Sequence, residues 1–179
     1  MTDRSTALGL SNAEVRHAMA RDRWAIAYEY EARLLNAALG PLVLDIQHVG
    51  STAVPGLLAK PILDIIIAVS DLNYVPALEP ALLNAGWIRR PAGDTVDRRY
   101  FVKGVPEWRT GHLSDVASGT RAWEDQVRFR DILRSDPEVT AKYAQLKLEL
   151  ARRFPHDRRS YTEGKADLVR LILAEDRQD

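Results

Sequence analysis

The sequence contains no cysteine. Without cysteine the chain cannot form a disulfide bond, a thiol nucleophile or a cysteine-based metal site, and this composition agrees with a reducing compartment. An excess of charge is also absent, because 25 Lys and Arg residues balance 25 Asp and Glu residues. Nucleic acid is therefore not expected as a partner, whereas a local basic pocket for a small phosphorylated ligand is compatible with this balance.

Long hydrophobic runs are missing as well. No run approaches the length of a transmembrane helix, and residues 1–11 lack the apolar core of a signal peptide. We therefore expect a cytoplasmic protein without membrane association. With 179 residues, 46% of them hydrophobic, the chain fits one soluble domain over residues 1–179. Residues 1–10 are polar and unpatterned and are expected to be flexible.

The periodicity of apolar residues predicts an α/β protein whose C-terminal third is helical. Predicted strands cover residues 42–49, 62–69, 87–89, 98–102 and 108–116. The last two are expected to extend the sheet in antiparallel fashion. Predicted helices cover residues 14–39 with a break near 21–23, then 74–85, 120–133 and a segment that starts at 135–138 and ends before Pro155. Ser160 and Glu163 form a capping-box pattern for the final helix.

One acidic residue, Asp64, interrupts the apolar strand 62–69, which otherwise has the composition of a strand covered on both faces. A lone carboxylate buried there is costly or takes up a proton, so it requires a cationic partner or a ligand. The Gly50–Ser51 turn could direct N–H groups and a hydroxyl at an anion, and Lys60 could neutralise phosphate. Three alternatives stay open: a purely structural Asp64, a simple turn at Ser51 and a solvated Lys60.

These features resemble the GrpB family, which belongs to the nucleotidyltransferase superfamily. The segments that carry the resemblance are 48–52 (HVGST), 54–57 (VPGL), 59–65 (AKPILDI), Arg98–Arg99 with Phe101, Arg109–Thr110 with His112–Leu113, 129–131 (FRD) with Leu133–Arg134, and 161–165. Together they span most of the chain. The resemblance implies a nucleotidyltransferase-like mixed sheet of four or five strands, flanked by an N-terminal helix and by C-terminal helices.

The resemblance also implies a ligand, which is a nucleotide or another phosphorylated small molecule. Asp64 would be the catalytic residue and a ligand of Mg²⁺. The residues expected to contact the ligand or its phosphates are Gly50, Ser51, Thr52, Lys60, Arg99, Arg109, His112, Tyr161 and Lys165. Structural packing is the alternative for Tyr161, and a core histidine is expected at His48. Arg98 is expected to be solvated.

The sequence departs from the superfamily pattern where the metal ligands are concerned. Ile66 stands at the position of the second carboxylate, and Asp115 or Glu107 are the candidates for a third. Ser114 replaces the second histidine of the His-Leu-His pattern of GrpB relatives, so a metal site built from that pair is not expected.

Three hypotheses follow. The leading one is a protein that binds a nucleotide or phosphorylated molecule and transfers a nucleotidyl group with Mg²⁺. The second is a non-catalytic nucleotide- or phosphate-binding module, which Ile66 favours. The third is a structural partner in coenzyme A biosynthesis, because GrpB-like domains are sometimes fused to dephospho-CoA kinase.

Overall fold

The computed structural model of the chain describes residues 8–10, 18–19 and 22–176. Its strands are β1 (Ala18–Met19), β2 (Val43–Val49), β3 (Leu58–Ala59), β4 (Leu63–Val69), β5 (Trp87–Arg89), β6 (Arg98–Val105) and β7 (Trp108–Ala117). Its α-helices are α1 (Asp22–Leu39), α2 (Val75–Asn84), α3 (Arg121–Ser135), α4 (Pro137–Arg153), α5 (Arg158–Glu163) and α6 (Ala166–Glu175). The chain is therefore an α/β protein with a helical C-terminal third, as the sequence predicts.

The main sheet has five strands in the order β2-β4-β7-β6-β5. Strands β4 and β7 are parallel, and the other neighbouring strands are antiparallel, so the sheet is mixed. The antiparallel pairing of β6 with β7 is the predicted extension of the sheet. In the register, Asp64 of β4 lies opposite Val49 of β2 and His112 of β7.

Helices cover both faces of the sheet. On one face, α1 and α2 pack against the largest hydrophobic cluster, which contains Trp24, Leu35, Ile65, Ile67 and Phe101. On the other face, α3 packs against Ile66 of β4 and Val116 of β7. Strand β4 is consequently buried on both sides, which explains why all of its seven residues except Asp64 are apolar. Asp64 and Ile66 point to the face that α3 covers.

The N-terminal part of the chain differs from the prediction. Ala18–Met19 lies in the predicted helix 14–39 but forms a short antiparallel pair with Leu58–Ala59, because this pairing overrides helical propensity. The helix begins at Asp22, at the predicted break; residues 11–17 and 20–21 lie outside the described residues. Leu10 is buried, and its backbone exchanges two hydrogen bonds with Arg109. The expected flexible end therefore does not include Leu10, and residues 1–7 lie outside the described part.

The C-terminal helices differ in one detail. The predicted final helix is divided in two, α5 and α6, and Ser160 lies within α5 instead of capping it. Asp157 is the N-cap, since its carboxylate accepts hydrogen bonds from the Ser160 N–H at 3.0 Å and the Ser160 hydroxyl at 2.6 Å. Within the described residues, no helix combines the length and apolar character that crossing a membrane requires.

Candidate anion-binding cleft

Asp64 lies near the start of β4 and shares a hydrogen bond with His112 of the neighbouring parallel strand. The His112 Nδ1–H donates to Asp64 Oδ1 at 2.9 Å, and 42% of the Asp64 side chain is exposed to the cleft. Partial removal of water acts to raise the pKa of Asp64. The hydrogen bond and charge of His112, together with Lys165 and His48, outweigh that effect and hold the pKa below its ordinary value. Asp64 is therefore an ionised carboxylate.

The Gly50–Ser51 turn presses its backbone against this carboxylate. Gly50 has a φ of 67° and a ψ of −170°, a conformation that is essentially restricted to glycine. A Cβ atom at this position would lie 2.6 Å from Asp64 Oδ2, which is too close for any side chain. Glycine is thus required at position 50 for two reasons, which are its backbone conformation and its close approach to Asp64.

Three lysines converge beside this turn. Lys60, Lys147 and Lys165 line a small cavity of about 70 Å³, together with Ser51 and Asp64. The Lys147 ammonium donates to Ser51 Oγ at 2.9 Å and also to the Leu58 carbonyl oxygen. With roughly 30 Å³ per water molecule, the cavity has room for about two waters or one compact anionic group. We call this cavity the lysine pocket.

The lysine pocket changes the proton affinity of its own side chains. Burial lowers the pKa of Lys147 to about 7, with repulsion from Lys165 and Lys60 in the same direction and Asp64 opposing. Burial likewise lowers the pKa of Lys60 to about 7, assisted by Arg158 and Lys165. The pKa of Lys165 is also lowered, mainly by burial. One carboxylate does not compensate three ammonium groups, so the pocket favours an anion.

Tyr161 forms one wall of the lysine pocket. Its side chain is buried, and the ammonium groups of Lys60 and Lys165 lie 4.2 Å and 4.6 Å from the centre of its ring. Both distances fit cation–π contacts, which hold an ammonium group in place while leaving its N–H donors directed elsewhere. The predicted site residues Lys60, Tyr161 and Lys165 are therefore brought together, and the Tyr161 ring contacts both lysines.

The lysine pocket opens into a wider cleft between the sheet and the C-terminal helices. One part, of about 390 Å³, is lined by Lys60, Asp64, His112 and Arg158 among others. A second part, of about 620 Å³, extends between α3 and α6 and shares Ser51, Asp64 and Lys165 with the lysine pocket. The cleft is therefore continuous from a cationic end to a more apolar end.

Two arginines that the sequence places in the site lie elsewhere. Arg99 alternates with Arg98 along β6 and points to the opposite face of the sheet, where its guanidinium donates to the Thr95 and Arg98 carbonyl oxygens. Arg109 is buried, donates to the Gly104 carbonyl oxygen and lines none of the cavities described here. Arg98, which was expected to be solvated, lines the cleft instead. It lies on the same sheet face as Tyr100, which also lines the cleft.

The candidates for a third carboxylate are also remote from Asp64. Asp115 is three residues beyond His112 on β7 and therefore faces the other side of the sheet, where it is fully buried. Glu107 is exposed in the turn between β6 and β7. Among the described residues, no group of three His, Cys, Asp or Glu side chains is placed to hold a metal ion. With Ile66 at the second position and three lysines nearby, the residues do not fit a two-metal centre.

His48 and Thr52 pair with each other behind the turn. His48 Nε2 lies 2.9 Å from Thr52 Oγ1, both side chains are buried, and the imidazole stacks on Tyr28 at 4.7 Å. Burial lowers the pKa of His48 to about 4, so it is neutral. The core role expected for His48 is the one observed. Thr52 lines the lysine pocket, and its hydroxyl is also hydrogen-bonded to His48.

Sequence reasoning missed Lys147, which is the most buried lysine of the pocket. Its side chain is 2% exposed, and it lies on α4 between Tyr143 and Leu150. Residues 143, 147, 150 and 154 step by four, three and four, so Lys147 stands within the apolar stripe of this helix. A lysine in an apolar stripe is a signal of a buried, partnered charge, and it could have been identified from the sequence.

The fold places the chain in the nucleotidyltransferase-like class. The structure aligns with the Cid1 poly(U) polymerase in its MgATP-bound form with a TM-score of 0.53 over 75% of this chain and 44% of that one. The sequence identity is 11%, so this likeness concerns the fold alone.

Within that class, the chain belongs to the GrpB family. The family model described as "GrpB protein" matches residues 14–175. The crystal structure of the conserved protein GrpB from Enterococcus faecalis aligns with a TM-score of 0.81 and 30% identity, covering 89% of this chain and 96% of that one. The predicted family and fold are therefore confirmed.

Three sequence relatives show how the chain compares in length. The UPF0157 protein YqkA of Bacillus subtilis is 33% identical over 83% of this chain and 43% of the relative. The UPF0157 protein PA4798 of Pseudomonas aeruginosa is 39% identical over 84% of this chain and 62% of the relative. The dephospho-CoA kinase of Mycolicibacterium paratuberculosis is 28% identical over 87% of this chain and 44% of the relative. The chain thus spans about half the length of several proteins that it matches.

Proposed function

We propose that this protein binds a phosphorylated small molecule, with a phosphate group in the lysine pocket. The observation that carries the proposal is the convergence of Lys60, Lys147 and Lys165 with the Ser51 hydroxyl on a small cavity, to which the described residues contribute a single carboxylate. Ammonium groups and a hydroxyl are natural partners of phosphate oxygens. Phosphate would also replace the repulsion among the three lysines by attraction.

The proposal is tested by titrating the protein with inorganic tripolyphosphate in a calorimeter. Lys147→Met keeps the length and apolar stem of the side chain and removes the charge, and we expect it to weaken binding by at least about tenfold, or ~1.4 kcal/mol. Lys142→Met, at an exposed position of the same helix, is the matched control and is expected to bind like the unmodified protein. Equal affinities for both variants would contradict the assignment of the lysine pocket.

Nucleotidyl transfer with Mg²⁺ is the second candidate, and Asp64 is the feature that favours it. The carboxylate is ionised and exposed to the cleft, and it lies within a fold that a MgATP-bound polymerase shares. Asp64 alone supplies one ligand, so the lysines would provide most of the positive charge. We repeat the titration with nucleotides in the presence of Mg²⁺ or a chelator, and on Asp64→Ala. Binding that requires Mg²⁺ and Asp64 would support the transferase; binding indifferent to both would support a binding module.

A link to coenzyme A biosynthesis is tested with the same assay. Dephospho-coenzyme A carries phosphates, a nucleoside and a long flexible arm with amide groups, and one matched relative is named as a dephospho-CoA kinase. We therefore include dephospho-coenzyme A and phosphopantetheine among the compounds. Selective binding of either would favour this pathway over general nucleotide binding.

A further inference from the structure

The larger part of the cleft is chemically unlike the lysine pocket. Its volume is about 620 Å³, and Val116 of β7, Phe129 of α3 and Val169 of α6 contribute apolar walls. Phe129 is held by an edge-to-face contact with Tyr143, with the ring centres 5.2 Å apart. Inorganic phosphate in the lysine pocket would leave these apolar walls facing water. Charged side chains, among them Asp97, Arg98, Asp125 and Arg170, stand between these apolar walls, so the space can contact both apolar surfaces and polar groups of a ligand.

The two spaces form one binding site. Ser51, Asp64 and Lys165 line both the lysine pocket and the apolar part of the cleft. A ligand whose phosphate lies between Ser51 and Lys165 therefore extends its remaining atoms into the space between α3 and α6. This ligand must combine an anionic end with a body that has apolar surfaces.

Gln126 supplies an amide group that this body would meet. It lies on α3, lines the apolar part of the cleft as well as the part next to His112, and is only partly exposed. Its side-chain amide has no hydrogen-bond partner among the residues that the structure describes. A glutamine amide offers donors and an acceptor in one plane, which match the edge of a nucleobase. A base also presents flat apolar faces to the surrounding walls.

We infer that the phosphorylated ligand is a nucleotide, that its base occupies the cavity between α3 and α6, and that Gln126 determines specificity by reading the edge of the base. This inference rests on the proposed binding of phosphate in the lysine pocket. It goes beyond that proposal because it places the base in a defined cavity and names a residue that distinguishes one base from another.

The test compares ligands with the same anionic end. Calorimetric titrations use inorganic tripolyphosphate and the nucleoside triphosphates of adenine, guanine, cytosine and uracil. We expect at least one nucleoside triphosphate to bind about tenfold or more tightly than tripolyphosphate. Gln126→Leu should lower the affinity for that nucleotide several-fold and reduce discrimination among the bases, with the affinity for tripolyphosphate unchanged. Gln145→Leu, the same exchange at an exposed position of α4, is the matched control.

Each of the other outcomes contradicts a specific part of the inference. If tripolyphosphate binds as tightly as every nucleotide, the base site is wrong while phosphate binding stands. If neither binds, both proposals fail. If a nucleotide is preferred but Gln126→Leu leaves affinity and base discrimination unchanged, the role of Gln126 is wrong. Val169→Phe, which narrows the apolar cavity, tests the site independently if Gln126→Leu does not fold, and it should weaken nucleotide binding without affecting tripolyphosphate.

Discussion

At the residue scale, the contact between Gly50 and Asp64 combines backbone conformation with the position of the site carboxylate. Gly50→Ala would force a Cβ atom into a position 2.6 Å from Asp64 Oδ2, at a φ of 67° that disfavours alanine. We expect a loss of roughly 2–4 kcal/mol of unfolding free energy, above the ~1–3 kcal/mol of backbone strain alone. Gly56→Ala is the control, because Gly56 has a φ of 75° but an added Cβ would meet no atom within 4 Å. Chemical denaturation of both variants measures the difference; equal losses would contradict the steric contact.

Asp115 is a second residue whose surroundings make a measurable prediction. Both its carboxylate oxygens are buried without a hydrogen-bond partner among the described residues, and burial raises its pKa from 3.8 to about 8. The unfolded chain therefore releases this proton at lower pH than the folded protein. Asp115 should lower the stability of the folded state as the pH rises from about 4 to about 8.

The isosteric Asp115→Asn variant cannot ionise and should remove this pH dependence. We expect its stability relative to the unmodified protein to increase with pH, by on the order of a few kcal/mol between pH 4 and pH 8. Denaturation curves at four pH values measure the difference. If the two proteins keep a constant difference across this range, Asp115 is already ionised in the folded state at low pH.

At the element scale, the sequence predicts most of the sheet and part of the site. The apolar run of β4 identifies a strand that is buried on both faces, and the period-two alternation in the sequence of β6 and β7 identifies these two strands. The sequence does not predict which of Arg98 and Arg99 lines the cleft. Alternation along the strand places the two side chains on opposite faces of the sheet, but it does not indicate which face carries the cleft. The pairing of Ala18–Met19 with Leu58–Ala59 could not be predicted either, because it depends on a contact between segments that are distant in the sequence.

Helix α3 contacts the segment that follows the Gly-Ser turn through Arg134. The Arg134 guanidinium donates from Nε and Nη2 to the Ala53 carbonyl oxygen at 3.0 Å and 2.9 Å. Arg134→Lys cannot reproduce this planar pair, and we expect it to cost about 1 kcal/mol and to loosen the turn. Amide hydrogen exchange in the peptide that contains residues 50–54 should accelerate, and tripolyphosphate should bind several-fold more weakly.

Arg128→Lys provides the control for this prediction. Arg128 lies on the same helix but pairs with Asp176, beyond the end of α6, so its replacement should not affect the turn. Faster exchange in residues 50–54 of both variants would indicate a general loosening of α3. Unchanged exchange in Arg134→Lys would show that Arg134 does not position the turn.

At the scale of the whole molecule, electrical neutrality hides a concentration of positive charge. Lysine and arginine together equal aspartate and glutamate at 25 each, yet Lys60, Lys147 and Lys165 surround a cavity with one carboxylate. The cost of burying these ammonium groups is visible in the pKa values of about 7 for Lys60 and Lys147, against 10.5 for lysine in water. The protein is therefore expected to be less stable with the pocket charged than with it neutral, unless an anion is bound.

This arrangement predicts opposite pH trends for stability and for anion binding. Between pH 7 and 10.5 the unfolded chain binds more protons at Lys60 and Lys147 than the folded protein, so their contribution to stability rises with pH. An anion binds the protonated pocket, so its affinity should fall as the pH rises through 7. Sulfate is a suitable probe because its charge is constant over this range.

We expect the stabilisation of the protein by a fixed sulfate concentration to decrease by at least half between pH 6 and pH 9, measured as the shift in melting temperature. Lys147→Met removes one of the two titrating ammonium groups, so its sulfate effect should be smaller at pH 6 and should change less with pH. Lys142→Met should behave like the unmodified protein, because this lysine is exposed and outside the pocket. A sulfate effect that is constant with pH in the unmodified protein would mean that the lysines of the pocket stay charged throughout, and that burial does not control their protonation.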